Sequence, residues 1–400
     1  MNFEFTPEDE AFRLEVREFL RANLPPEFAQ DVRRWVNPPM RIARAWQRIL
    51  AARGWGAPHW PVEYGGCGWS AVRKHIFLEE IYRADAPDYL WQGLHMMAWV
   101  LIAFAAPQQR ARFLPPMLTG EEVWAQGFSE PGAGSDLASL RTSAVLDGEV
   151  WRIRGQKIWT SDAADSDWGF FLVRTDPAVK PQRGLSFLIA KLDTPGITIR
   201  PIRSIDGRNE LNEVFLDDVT VPRDHLVGEA GKGWTYAKYL LEKERTTSAF
   251  LYFNKRILEK AKALARATHV AGRPLLQVPE FARKVARIEA ELAGLEYSVL
   301  RVLAEEKFAH PLNGVVSALK IRGSLLQQRI TDLHSEAMGA QSLRFLMRGD
   351  ARIPGAVAGG RWPELGIGAT SMFLQTRAST IYGGALEVQK NIIAKSVFGF

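Results

Sequence analysis

Apolar residues recur at helical spacing over the first part of the chain, in short or alternating runs through its middle, and at helical spacing again toward its end. Thr6-Pro7 followed by Glu8 and Asp9 has the chemistry of a capped helix start, and Phe12, Val16, Phe19 and Leu20 then fall on one stripe. Further helices are predicted over 40–53, 72–84 and 107–118, joined by a Gly- and Pro-rich ordered loop that begins at Trp55. Beyond Glu121 the pattern changes. Stretches 150–155, 168–175, 185–191, 197–202 and 212–216 are short, β-branched or aromatic, and are separated by Asp-Gly, Pro and Gly turns, so they predict a block of antiparallel strands. Long helical patterns resume at Gly233, broken near Gly272-Arg273-Pro274 and by a Gly/Pro-rich stretch over 354–368.

The expected organisation is therefore mainly α with a central β domain: an N-terminal helical domain over 1–120, a middle β domain over 121–232 and a C-terminal helical bundle over 233–400. A β domain set between helical layers leaves a crevice at the junction, where cofactor pockets tend to form.

Composition narrows the chemistry. At 400 residues and 46% hydrophobic content the chain can bury a sizeable core. The net charge of +6 comes from Lys and Arg scattered among acidic residues, which argues against nucleic acid and suits a phosphate-bearing substrate or an acidic electron-transfer partner. Cys67 is the single cysteine, so an intramolecular disulfide and a cysteine metal site are both excluded. An acidic N-terminus without an apolar core, and no apolar stretch of membrane-spanning length, lead us to expect a cytoplasmic protein with no membrane span. The histidines show no metal-ligand spacing, and no metal is expected.

Two motifs carry most of the chemical information: Gln126-Gly-Phe-Ser-Glu-Pro-Gly-Ala-Gly-Ser-Asp136, and Gly155-Gln-Lys-Ile-Trp-Thr-Ser161. Gly132-Ala133-Gly134 is half of a dinucleotide fingerprint, but Leu137 stands where a glycine is needed and the βαβ setting is missing. A polar turn containing Gly134 can instead bring backbone N–H groups against a flavin or a phosphate. For either segment alone, a tight surface turn beside a core tryptophan is an equal alternative. Gly228 to Trp234 has the glycines of a phosphate loop without its Gly-Lys-Ser/Thr ending. Glu244 draws attention because Ala237, Leu240, Thr247, Ser248 and Leu251 surround it at helical spacing. A carboxylate on such a small, apolar face is partly desolvated, which suits a general base; a structural ion pair is the competing reading.

Glu63-Tyr-Gly-Gly66, 128–136, Gly155-Gln-Lys-Ile-Trp159, Asn212-Glu-Val-Phe215 with Val221-Pro222, Gly231-Lys-Gly-Trp234 and Ile381-Tyr-Gly-Gly-Ala-Leu-Glu-Val-Gln-Lys-Asn-Ile393 occur in the order seen in acyl-CoA dehydrogenases. The chain resembles that family over essentially all of Phe5 to Phe400. The resemblance implies FAD-dependent α,β-dehydrogenation of an acyl-CoA thioester to the trans-2-enoyl-CoA, in an oligomer, with electron transfer flavoprotein as electron acceptor. It implies that Gln126, Phe128 and Ser129 line the flavin, that Trp159 covers a ring face, that Ser161 bonds near the reactive edge and that Ser135 touches the acyl-CoA. Ala385 and Glu387 match flavin-contacting positions.

Many members carry the catalytic Glu directly after the Tyr of the C-terminal motif, where this chain has Gly383; others place it before an Arg on the first helix of the C-terminal bundle, matching Glu244-Arg245. The reading is Glu244 as base and Arg245 as a substrate-positioning residue, with backbone N–H groups of Gly383 and Gly384 on the thioester carbonyl. Room left by Gly383 favours a bulky, branched or long acyl group. Thr268, Ala271-Gly272 and Gly339-Ala340 replace the residues with which relatives hold a neighbour's FAD diphosphate. Hence either a homotetramer or a mixed tetramer with a related subunit is expected. The rival readings are an acyl-CoA oxidase and a non-catalytic or flavin-sharing subunit.

Overall fold

Thr6 caps the first helix in both directions: its hydroxyl accepts the Asp9 N–H at 3.2 Å, and the Asp9 carboxylate accepts the Thr6 N–H at 3.2 Å. In the computed structural model, which describes residues 5–34, 38–244, 249–305, 313–344 and 363–400, this helix is α1 (Pro7–Asn23), with Phe12, Val16 and Leu20 buried. It is followed by α2 (Pro26–Arg34), α3 (Met40–Ala52), α4 (Ala71–Arg83), a π turn (Gln92–Met97) leading into α5 (Ala98–Phe104), and α6 (Pro107–Thr119). The strands are β1 (Trp124–Gly127), β2 (Ser143–Asp147), β3 (Val150–Lys157), β4 (Trp168–Arg174), β5 (Leu185–Lys191), β6 (Ile197–Ile202) and β7 (Leu211–Pro222). Then come α7 (Gly233–Glu244), α8 (Leu251–Ala267), a small hairpin of β8 (His269–Val270) and β9 (Arg273–Pro274), α9 (Pro279–Glu305), α10 (Asn313–Met338), α11 (Pro363–Gly366), α12 (Ala369–Thr376) and α13 (Leu386–Val397).

The chain forms two compact units, one of Met1–Pro38, Trp69–Pro87 and Arg245–Phe400, the other of Pro39–Gly68 and Asp88–Glu244. The first is helical. In it α10 packs along α8, α9, α12 and α13 over a core that includes Ile257, Leu264, Phe281, Ile288, Leu326 and Ile330. Gly323 is what lets α10 lie this close: a Cβ there would stand 1.9 Å from the Ala249 carbonyl oxygen, and Asn254 Nδ2 donates to the Gly323 carbonyl at 3.0 Å.

The second unit holds the sheet with α3, α5, α6 and α7. The strands run in the order β1-β4-β2-β3-β7-β6, with β5 pairing β4. Most pairings are antiparallel, as the turn chemistry predicts, but β1 runs parallel to β4 with Trp124 opposite Trp168, and β2 meets β4 in parallel at Ser143 and Arg174. The cause is the loop after β1, which carries the chain onward so that β1 and β2 meet one edge of β4 in the same direction, while β5 takes the other. Phe170 to Val173 and Leu185 to Ala190 are buried throughout, as continuous apolar strands covered on both faces are. Trp124 stacks on Trp168 at 5.5 Å, and Phe113 of α6 meets both rings edge-on at 5.4 and 5.1 Å, fixing that helix on the sheet.

Candidate functional site

The two sequence motifs are brought together within the sheet unit. Glu130 and Ala133 exchange backbone hydrogen bonds of 3.0 Å in each direction, which makes a tight turn over Pro131 and Gly132 and leaves Gly134 and Ser135 exposed just beyond it. The Glu130 carboxylate closes the base of that loop by accepting the N–H groups of Arg141 at 2.6 Å and Thr142 at 2.8 Å. From β3, the fully buried Lys157 ammonium donates to Glu130 at 2.8 Å, to the Phe128 carbonyl at 3.1 Å and to the Leu172 carbonyl at 2.7 Å. The next residue, Ile158, donates its N–H to the Ser129 carbonyl at 2.9 Å. Burial pulls Lys157 down to about 8, while Glu130, which burial alone would raise, is held below its usual range by the Lys157 charge. The pair is therefore ionised at neutral pH. Phe128 is pinned edge-on to Phe170 and Phe187, and Gln126 lies on β1, half-buried, opposite Phe170.

Trp159 has a backbone φ of +60°, a left-handed conformation that a bulky residue enters only under restraint. The restraint is visible on both sides. Thr160 and Asn212 bond each other reciprocally at 3.0 Å, and the Asp162 N–H bonds the Glu210 carbonyl at 2.7 Å, so the segment through Ser161 is tied to the start of β7. The result is an indole 55% exposed beside a turn whose Gly132 and Gly134 have nothing within 4 Å of where a Cβ would be. A strained, uncovered aromatic plane beside open backbone is a fitting cradle for a planar ring with a polar tail, and FAD is such a group.

Asp162, directly after Ser161, had no signal in the sequence. Burial, reinforced by the charges of Glu210 and Asp165, lifts its carboxyl to about 7, against the opposing influence of Arg208 and the Gln92 amide at 3.5 Å. Gln92 opens the π turn, which packs against both β1 and α7. Gly233 starts α7 hard against β5, since a Cβ would stand 2.7 Å from the Ser186 backbone; Tyr236, Ala237 and Leu240 are buried and Phe104 stacks on Tyr236 at 4.4 Å. This helix ends at Glu244; the Glu244 side chain and Arg245 lie outside the described residues.

The other expected residues belong to the helical unit. Gly383 and Gly384 have φ of +63° and +85°, and the buried Gln389 amide donates to both of their carbonyls at 3.3 Å. Among the described residues neither glycine N–H has an acceptor, so both remain available to a ligand oxygen. Ala385 caps α13, its carbonyl accepting the Gln389 N–H at 3.0 Å, and Glu387 lies exposed in the first turn. Lys320 and Ser324 both donate to the Ser379 carbonyl and so anchor the segment before the glycines. The Thr268 hydroxyl is occupied by the Ala337 carbonyl at 3.0 Å, and Ala271 and Gly272 form the left-handed turn of the β8–β9 hairpin.

One cluster escaped the sequence reading altogether: His75 and Glu79 on α4 with Glu296 on α9, whose ligand atoms lie within 4.8 Å of one another. Lys255 Nζ sits between the two carboxylates, so an ammonium already supplies the positive charge there.

Comparison with known proteins decides the family. Models of the acyl-CoA dehydrogenase N-terminal, middle and C-terminal domains match residues 6–121, 125–219 and 231–398. The acyl-CoA dehydrogenase IpdE1 of Mycobacterium tuberculosis is 38% identical over 399 residues, covering 98% of this chain and 97% of the relative. This chain belongs to the acyl-CoA dehydrogenase family. Among solved structures it is similar to the Tcur3481-Tcur3483 steroid acyl-CoA dehydrogenase, with a TM-score of 0.85 at 28% identity over 100% of this chain and 99% of that one. It is also similar to the ChsE4-ChsE5 complex of Mycobacterium tuberculosis, with a TM-score of 0.82 at 29% identity over 100% and 99% of the two chains. Acyl-CoA dehydrogenases are FAD-dependent oxidoreductases, and this one has the family's three-domain architecture. Among its described residues no helix is long and apolar enough to cross a membrane.

Proposed function

We propose that this acyl-CoA dehydrogenase binds FAD and removes the α and β hydrogens of a bulky, cyclic acyl-CoA, giving the trans-2-enoyl-CoA, with Glu244 as base. The observation that carries the proposal is the pair of left-handed glycines, Gly383 and Gly384, whose N–H groups have no acceptor among the described residues. Where many relatives place the catalytic carboxylate, this chain offers open space and two donors, which leaves the base to the end of α7. A rigid ring system needs such space. The Tcur3481-Tcur3483 protein is a steroid acyl-CoA dehydrogenase, which supports a polycyclic acyl group here.

In this reading, Gly383 and Gly384 hold the thioester carbonyl and stabilise the negative charge that grows on it as Glu244 withdraws the α proton. Bound FAD supplies the acceptor for the β hydride. Gln126, Phe128, Ser129, Gly134, Ala385 and Glu387 would line its cradle; Trp159 would cover a ring face and exclude water, and Ser161 would donate near the reacting edge. Ser135 and Arg245 position the acyl-CoA. The domain boundaries that go with this division of labour are 1–120, 121–232 and 233–400.

Two related structures are named as pairs of different chains, and Thr268 is committed to a backbone carbonyl where relatives place an Arg. We therefore place this chain in a mixed tetramer with a related subunit that shares the flavin site, passing electrons to electron transfer flavoprotein. Mass spectrometry of products from a panel of acyl-CoAs, run with ferrocenium as acceptor, tests the reaction. A polycyclic acyl-CoA should lose two hydrogens; conversion of straight-chain substrates alone would overturn the substrate class.

A further inference from the structure

Helices α2, α4, α8 and α9, with Leu365 and Met372, enclose a cavity of about 800 Å³ within the helical unit, a volume suited to a small molecule. None of the residues expected to hold flavin or acyl-CoA lines it. Its walls are partly apolar, with Leu292, Met372 and Phe253 among them, and partly charged.

The charges do not balance locally. Each carboxylate in the wall already has a cation: Asp85 is held by Arg33 at 2.8 Å, Glu79 and Glu296 by Lys255, and Glu259 and Glu289 by Lys262 at 2.7 and 2.9 Å. Arg83, Arg256 and Lys260 are wall cations with no ion pair among the described residues. Arg256 lies over the rings of Tyr82 and Phe253 at 4.7 and 5.3 Å, and among the described residues no carboxylate pairs with it. Lys260, one helical turn further along the same face, donates among the described residues to the carbonyls of Arg33 and Ile367 at 2.9 and 3.0 Å, and burial pulls its pKa down to about 8. A guanidinium seated on aromatic faces still presents its N–H edge for a planar anion.

We propose that this cavity is a second ligand site, which takes a small amphipathic anion: a carboxylate or phosphate group against Arg256 and Lys260, with an apolar body along Leu292, Phe253 and Met372. The site is independent of the flavin chemistry. Its occupant belongs to the class of apolar acids or their phosphorylated counterparts.

Isothermal titration calorimetry on the purified holoenzyme with decanoate, decyl phosphate and decanol tests it. At least one anion should bind and decanol should not; whichever anion binds more tightly identifies the head group. Arg256→Gln should weaken that binding about tenfold, the loss expected for a charge-assisted hydrogen bond. Ala293→Phe, which places a ring in the cavity from α9 without removing a charge, should abolish it, and both variants should keep the flavin response to acyl-CoA. Absence of anion binding, equal binding of decanol, or binding unchanged in both variants would overturn the proposal. Because the readout is heat of binding rather than turnover, failure here leaves the dehydrogenase reading untouched.

Discussion

Replacing Lys157 with methionine removes the ammonium that joins the two motifs of the sheet unit. Glu130, 9% exposed, would keep only the Arg141 and Thr142 N–H groups, and the carbonyls of Phe128 and Leu172 would lose a donor. Removing one partner of a buried ion pair costs about 3–5 kcal/mol. An orphaned buried carbonyl adds roughly 1 kcal/mol, while the methionine side chain recovers some packing, so a net loss of about 3–4 kcal/mol is expected. Urea denaturation followed by tryptophan fluorescence reads this as a lower midpoint at unchanged slope. The double variant Lys157→Met/Glu130→Leu should regain part of the loss, because no buried charge is left unpaired. A single-variant loss below about 1 kcal/mol, or a double variant less stable than the single, would show that this pair is not what holds the loops together.

Asp162 gives a pH signature. Its folded pKa of about 7 lies above the ordinary 3.8, so the stability it contributes is fully present below about pH 4 and is lost as pH rises through 7. Asp162→Asn should therefore flatten the fall in thermal midpoint between about pH 5 and pH 8; a variant as pH-dependent as wild type contradicts the assignment. At Gly384, with φ of +85° and a Cβ that would lie 2.5 Å from Gln389 Nε2, alanine should cost about 1–2 kcal/mol and displace the neighbouring N–H donors. Steady-state kinetics should then show kcat falling more than KM rises, and an unchanged kcat would remove the glycines from the reaction. Stripping FAD should lower the melting temperature and adding it back should restore it, with about 2.7 kcal/mol gained at a hundredfold excess over Kd; no shift would mean that this chain alone does not hold the flavin.

The legible parts of the fold were those with strong local chemistry. The Thr6 cap and the strands at 185–191 and 197–202 are bounded by turns and filled with the expected residues, and they form where the pattern places them. β1 and β2 were not legible, because Trp124 to Gly127 becomes a strand by pairing in parallel with β4, and Ser143 to Asp147 by pairing along β3. Alternation from Trp151 and Ile153 does put Lys157 on the inner face, but its partner Glu130 comes from a distant loop, so the reason to bury a lysine was invisible. Of the neighbours inferred for Glu244, Ala237 and Leu240 share its helix, Leu251 opens a separate helix after Phe250, at φ of +52°, and Thr247 and Ser248 lie outside the described residues. Asp162 and the cavity around Arg256 depend on tertiary burial and charge pairing, for which no local pattern exists.

The most direct measurement is anaerobic titration of the purified, flavin-loaded protein with a polycyclic acyl-CoA, watching the flavin absorbance near 450 nm, about where oxidised flavins absorb, in wild type and Glu244→Gln. Bleaching in wild type that is lost in the variant, with FAD content unchanged, is the predicted result. Equal bleaching in both would contradict the assignment of Glu244 as the base.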